Sequence, residues 1–258
     1  SWTETTDMNT ARETRGAGIA SAVLAMGGNP IQGTTEEFNH SMLTFTAASW
    51  ATGTNLNVGR MDAACAGTKT ATIFAGGNSD PTPGPGISAL SEEYDGTAWA
   101  EGNNLNTARQ EMGGGGNAVD AIGYGGHGGA YDAETEEYDG TSWSEQNDLN
   151  TGRQYFRAGY GLQTAAVAVS GAIGSTLNTA VENYDGTSWT AGTAVNTALK
   201  FGSGGGTQTA GLVFAGGAGE SALTESFDGS SWTEVGDLNT GTANVKSGSS
   251  GTQTAALC

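Results

Sequence analysis

The chain has 258 residues, 44 of them glycine, with 14% charged residues and a formal net charge of −18. Nine basic residues against 27 acidic ones argue against a nucleic-acid partner, which needs clustered Lys and Arg to displace backbone counterions, and against an anionic membrane surface. Glycine without an every-third-residue period is not collagen, and aromatics at ordered spacing are not the mark of a disordered chain.

There is no apolar run of the length a spanning helix needs, so membrane insertion is not expected. Cys65 and Cys258 make no disulfide framework, and Cys65 reads as a small buried residue. The chain starts inside a repeated phrase, at "SWTETTDMNTAR", without a basic–apolar–cleavage pattern. That start suggests processing, or a piece of something longer.

In chain order, Ser1 to about Asp7 reads as a closing strand carrying Trp2, followed by Asn9 and Arg12. An apolar strand, "SAVLAMGG" from 21, ends in a Gly-Gly doublet and leads to Glu36 and Phe38. The insertion "NHSMLTFTAAS" at 39–49 then precedes Trp50, Asn57 and Arg60. The second unit has "TATIFAGG" from 70, a proline-stiffened loop "NSDPTPGPGISALS" at 78–91, Glu92 and Tyr94, then Trp99, Asn106 and Arg109. In the third come "DAIGYGG" from 120, "HGGAYDAET" at 127–135, Glu136 and Tyr138, then Trp143, Asn150 and Arg153. The fourth contains "QYFR" at 154–157, "TAAVAVSGA" from 164, Glu182, Tyr184, Trp189 and Asn196, with Leu199 in the arginine position. The fifth has "TAGLVFAGG" from 209, Glu225, Phe227, Trp232 and Asn239, with Thr242 in that position, and the sequence ends on "GTQTAALC".

The six tryptophans are 43 to 49 residues apart, and each is followed, after five residues, by Leu, Met or Val and then Asn. Asp-Gly follows the aromatic directly in four units, as in "EEYDGTSW". Between two alternating runs it predicts a strand, a tight type I′ turn with both central residues at positive φ, and a strand. Each unit thus offers four short strands. Six such units at this period are the signature of a β-propeller, in which no blade buries both its faces alone and each must stack on its neighbours.

The order of apolar strand, Gly-Gly, Glu-x-aromatic, Trp, small-residue turn and Arg resembles the Kelch repeat over essentially the whole chain. Its wording, "YDGTSW" with "LNTAR", is also similar to Kelch-type repeats in bacteriophage and marine environmental sequences. The resemblance implies an all-β, six-bladed Kelch-like propeller forming one domain over 1–258. Its blades fall near 10–52, 58–101, 107–145, 151–191, 197–234, and 240–258 joined with 1–8. The sixth is expected to be abbreviated and closed by the N- and C-terminal strands, because an open propeller would expose strand edges.

Within the repeat, Trp2, Trp50, Trp99, Trp143, Trp189 and Trp232 are expected to serve packing. Arg12, Arg60, Arg109 and Arg153 are expected to pair, buried or half-buried, with the glutamate two residues before the aromatic of the same blade. Catalytic residues, a metal and a cofactor are not indicated: His40 and His127 lack companions at ligand spacing, and no nucleophile, phosphate-loop or dinucleotide motif stands in context. No carboxylate pair stands out from the repeat.

Function is sought where the units differ, since loops carry it on a constant scaffold. In Kelch order, the loops between second and third strands share a face with the links between blades. His127, Tyr131, Asp132, Tyr155, Phe156 and Arg157 are therefore expected near one another at the rim of the third and fourth blades, to take a protein partner or a surface glycan. On the opposite face Met42, Leu43 and Phe45 form an apolar loop that either docks a neighbouring subunit or covers the axis. The expectation is a non-enzymatic interaction protein of a virion or extracellular surface, with other virion subunits among its partners. The alternatives are an extracellular carbohydrate-active enzyme with its site on the axis, and an intracellular Kelch adaptor.

Overall fold

The structure is a computed structural model that describes residues 13–19, 22–29, 35–39, 49–79, 86–156, 158–217, 219–243 and 251–256; over residues 13–50 it describes the backbone and the buried Ala25. Trp2, Arg12, Met42, Leu43, Phe45 and Arg157 lie outside the described residues, as does the side chain of Trp50.

Every regular element among the described residues is a strand. Five four-stranded antiparallel sheets follow one another along the chain, each strand paired with its sequence neighbours in the sheet. The first sheet holds β1 (Glu13–Ile19), β2 (Ala22–Asn29), β3 (Thr35–Asn39) and β4 (Ser49–Thr52). The second holds β5 (Ala64–Thr68), β6 (Ala71–Ala75), β7 (Ser91–Tyr94) and β8 (Trp99–Glu101). The third holds β9 (Gly113–Gly116), β10 (Ala121–His127), β11 (Tyr131–Tyr138) and β12 (Trp143–Gln146). In the fourth, β13 (Ala158–Leu162) and β14 (Ala165–Val169) are followed by an extra hairpin, β15 (Ala172–Ile173) and β16 (Thr176–Leu177), before β17 (Val181–Tyr184) and β18 (Trp189–Ala191). The fifth holds β19 (Ser203–Thr207), β20 (Ala210–Phe214), β21 (Thr224–Phe227) and β22 (Trp232–Glu234), and a last hairpin pairs β23 (Gly251–Thr252) with β24 (Ala255–Ala256).

The second strands are largely apolar, as in "ATIFA" and "AAVAV", because neighbouring sheets cover both of their faces. Ala66 and Ile73 of the second sheet pack with Tyr138 and Trp143 of the third. Ala166 and Ala168 of the fourth share a cluster with Ile122 and Tyr124 of the third, and Val167 and Val169 share one with Phe227 and Trp232 of the fifth. The first strands are short and glycine-rich because they approach each other at backbone distance. A Cβ on Gly159 of β13 would stand 2.8 Å from the backbone of Gly114 in β9. These strands neighbour one another in the order β1, β5, β9, β13, β19, β23, and β23 also neighbours β1.

Two further devices join successive sheets. The indole Nε1 of Trp143 donates to Ser91 Oγ at 3.0 Å, and that of Trp189 to Thr135 Oγ1 at 2.9 Å, each on the third strand of the preceding sheet. On the turn between first and second strands, Gln163 Nε2 donates to the carbonyls of Ala121 and Tyr138 at 3.0 and 2.8 Å. Gln208 repeats the bridge to Ala166 and Tyr184 at 3.2 and 2.6 Å, which gives the "GTQT" phrase its role.

The Asp-Gly turns differ from the type I′ reading. Tyr94 pairs with Trp99, so the connection has four residues, and Gly96 has φ +94° while Asp95 stays out of the positive region. The aspartate instead closes the turn with its side chain. Asp95 Oδ1 accepts the N–H groups of Thr97 and Ala98, both at 2.8 Å. Asp139, Asp185 and Asp228 repeat this arrangement. A short carboxylate that captures the backbone two residues on makes the turn without left-handed backbone at the aspartate.

Candidate functional site at the inter-sheet links

Each link into a sheet carries the repeat's arginine, turned inward. Arg60, Arg109 and Arg153 have fully buried side chains and meet Glu92, Glu136 and Glu182 at 3.0, 2.7 and 3.1 Å. These are the pairs that the spacing predicts. Their guanidinium groups also serve backbone carbonyls, among them Gly76 and Leu90 for Arg60, Gly125 and Glu134 for Arg109, and Ala180 for Arg153.

The glutamate has a second task, which sequence reasoning missed. Glu136 accepts the backbone N–H of Asn106 at 2.7 Å and that of Thr107 at 3.3 Å, while Asn106 Nδ2 reaches the Trp143 carbonyl at 3.1 Å. Asn57, Asn150 and Asn196 make the same stitch to Trp99, Trp189 and Trp232. In these four units the asparagine that follows the tryptophan thus ties one sheet to the tryptophan of the next. Glu225 keeps this role in the fifth sheet, where it accepts Asn196 N–H at 2.7 Å although Leu199 replaces the arginine.

One residue after the arginine, the link bridges to the stretch that leaves the second strand of its own sheet, as in Met61 with Asn78, Gln110 with His127 and Gln154 with Ala172. Links and second-to-third-strand loops therefore lie together on one side. The next residue along is where the units diverge. Asp62, Glu111, Tyr155 and Phe201 occupy this one position in four consecutive sheets, all with left-handed backbone at φ 56 to 60°. Such a φ is a genuine outlier for bulky side chains and persists only where the surroundings impose it.

These four residues converge. The Glu111 N–H donates to the Asp62 carbonyl at 2.7 Å. The Tyr155 and Phe201 rings stand edge to face with centroids 4.5 Å apart, and the Lys200 ammonium lies 4.8 and 4.9 Å from the two centroids. Burial pushes the Tyr155 phenol up to about 12, assisted by the charge of Glu111, by a hydrogen bond to it and by the charge of Asp62. Asp62 belongs to the link of the second sheet and Tyr155 to that of the fourth, so residues that skip a sheet still act on each other.

The rim residues singled out in the sequence are partly gathered here. The His127 and Tyr131 rings have centroids 6.3 Å apart, and His127 Nδ1 lies 2.6 Å from the Ala130 carbonyl oxygen. Tyr131 is 46% exposed, and its hydroxyl stands over the β15–β16 turn, where a Cβ on Gly174 would come within 3.1 Å. Burial, then Glu134, hold the Asp132 carboxyl above its ordinary range. Phe156 is corrected: it is buried, edge-on to Tyr124 at 5.4 Å and under the Arg153 guanidinium, so it belongs to the core.

Asp62, Glu111, Phe201 and Lys200 were absent from the sequence expectation, although their common offset from the arginine would have found them. Among the described residues no group of His, Cys, Asp and Glu could hold a metal ion, and no helix is long and apolar enough to cross a membrane. No protein-family model matches the chain, and no curated protein matches it.

Proposed function

We propose that the chain is a six-bladed Kelch-like β-propeller acting as a non-enzymatic recognition module on a virion or other extracellular surface. It binds a protein or a surface glycan through the face formed by its links and second-to-third-strand loops. Five matching sheets and the cyclic order of the first strands, in which β23 returns to β1, support the ring. The observation that carries the function is the convergence of four different side chains at one strained position of an otherwise repeated frame, with Tyr155 and Phe201 half-buried over the buried Asp62 and Glu111. Aromatic faces beside polar groups suit recognition of either ligand class.

A second reading, a carbohydrate-active enzyme with its site on the axis, draws on Glu111 beside the Tyr155 hydroxyl with Asp62 near. Two features favour binding over turnover. The repeat arginines face inward to their glutamates, and the aromatic pair already holds an ammonium group. The test is a screen of a glycan array and of immobilised surface proteins, with Tyr155→Asn and Tyr131→Ala as comparators. Binding that both variants weaken supports the module. Binding indifferent to both, or release of shortened glycan, overturns it.

A further inference from the structure

We propose that the link-face mouth between Asp62, Glu111, Tyr155 and Phe201 takes a basic side chain of a protein partner, whose ammonium or guanidinium group displaces Lys200 from the Tyr155–Phe201 pair. The inference rests on the recognition reading above and names the partner's chemistry.

Lys200 shows what the mouth is built to hold. Its Nζ is within 5 Å of both ring centroids, at 4.8 and 4.9 Å, inside the range in which a cation is drawn to the negative face of an aromatic ring. The two rings meet edge to face, so one cation can address both. Lys200 is a half-buried residue whose ammonium is carried on a flexible stem. An incoming cation therefore exchanges with it rather than opening a closed core.

The flanking groups select the same sign. Glu111 bonds the Tyr155 hydroxyl and places its charge beside the ring, and Asp62 adds to the field there. A net charge of −18 attracts a basic segment at long range and accelerates its encounter. A neutral glycan would stack on the rings and donate hydroxyls to the carboxylates without gaining from their charge, and an acidic partner would meet like charge at Asp62 and Glu111.

The backbone fits the role too. A left-handed φ of 56° at both Tyr155 and Phe201 is a conformation that glycine or asparagine would adopt with less strain. The aromatics are therefore not there for the turn. Tyr155→Asn and Phe201→Asn accordingly remove the rings without disturbing the fold, which thermal unfolding of each variant checks.

The experiment titrates a lysine- and arginine-containing hexapeptide, with a neutral glutamine hexapeptide as control, into the full chain by calorimetry at two salt concentrations. Wild type is expected to bind the basic peptide alone, more weakly at high salt. Tyr155→Asn with Phe201→Asn should weaken binding by about tenfold, on the scale of a desolvated cation–π contact. Lys200→Gln, which vacates the rings, should tighten it by about threefold or more. Asp228→Asn, on the opposite turns, should leave it unchanged. If ring removal has no effect, or Asp228→Asn weakens binding as much as Glu111→Gln does, the attraction is diffuse charge and the proposal falls. If the basic peptide fails while a glycan binds in a Tyr155-dependent way, the cation inference falls and the recognition reading survives. If neither binds, both fall.

Discussion

Arg109 and Glu136 meet at 2.7 Å with no part of either side chain exposed, and the carboxylate simultaneously holds the backbone N–H of Asn106. Removing one partner of a buried pair strands the other charge, at a cost of about 3–5 kcal/mol, whereas removing both is far milder. Arg109→Met is therefore expected to destabilise the protein by about that amount in urea unfolding. Arg109→Met with Glu136→Gln should recover part of the loss. The recovery is incomplete because glutamine offers one oxygen where Glu136 serves the link with two.

Ser91 and Trp143 provide the second test. The indole N–H is buried and has the Ser91 hydroxyl as acceptor at 3.0 Å. Ser91→Ala leaves that donor unsatisfied and is expected to cost about 1–3 kcal/mol. Thr135→Val, which keeps the shape but removes the acceptor of Trp189, should cost a similar amount. Both belong to contacts between sheets, so their loss should lower the denaturation midpoint without exposing a separate early transition.

The two glycine doublets and their substitutes yield an opposed pair of substitutions. Gly125 and Ala215 hold the same repeat position and the same backbone, φ 58°. A Cβ on Gly125 would stand 2.7 Å from the Phe156 ring and 2.8 Å from the Arg153 carbonyl. Gly125→Ala is therefore expected to destabilise by about 1–3 kcal/mol through overpacking, with left-handed strain added. Ala215→Gly relieves about 1–2 kcal/mol of strain and loses about 0.8 kcal/mol of methyl burial. It should come out near neutral or slightly stabilising. Thermal unfolding of the two variants measures the asymmetry.

These tests also mark how far the sequence could be read. The four-strand unit, the Arg–Glu pair and the packing of Tyr138 with Trp143 follow from side-chain types at fixed spacing, because repeated packing forces repeated residues. The Asp-Gly turn was misjudged since Asp95 closes a four-residue loop with its carboxylate, and that option carries the same two letters as the tighter turn. Phe156 sits in a sequence as polar and aromatic as a rim, yet its ring packs on Tyr124. Whether an aromatic in a link points in or out depends on one backbone dihedral, and Tyr155, next to it, is the residue with left-handed φ. Of the site, Tyr155 was singled out from the sequence but Asp62, Glu111 and Phe201 went unseen, because the members are unlike one another and only their common offset from the arginine position joins them.

The four turn aspartates give a pH prediction of definite sign. Backbone N–H bonds hold the carboxyls of Asp139 and Asp185 below the ordinary range, and at Asp95 the Thr97 hydroxyl leads the same effect. Asp228 is brought down to about 2, first by the Ser231 N–H and then by the Ser230 hydroxyl and N–H. A folded value below the unfolded one means stability that is present above about pH 4, the unfolded aspartate value, and lost as pH falls through the folded one. Asp132, Glu137 and Glu145 act oppositely: burial raises each of them, so their contribution is present at low pH and lost as pH rises through the folded value. The wild-type profile is the sum of the two groups, and single variants separate them. Asp228→Asn keeps an acceptor for the turn but no longer titrates. Its stability relative to wild type should therefore improve steadily as the pH is lowered through the acidic range. Asp132→Asn should do the reverse, gaining on wild type as the pH rises towards neutrality. Urea unfolding across this range reads both slopes, and equal slopes for the two variants would show that neither carboxyl feels the environment its geometry gives it.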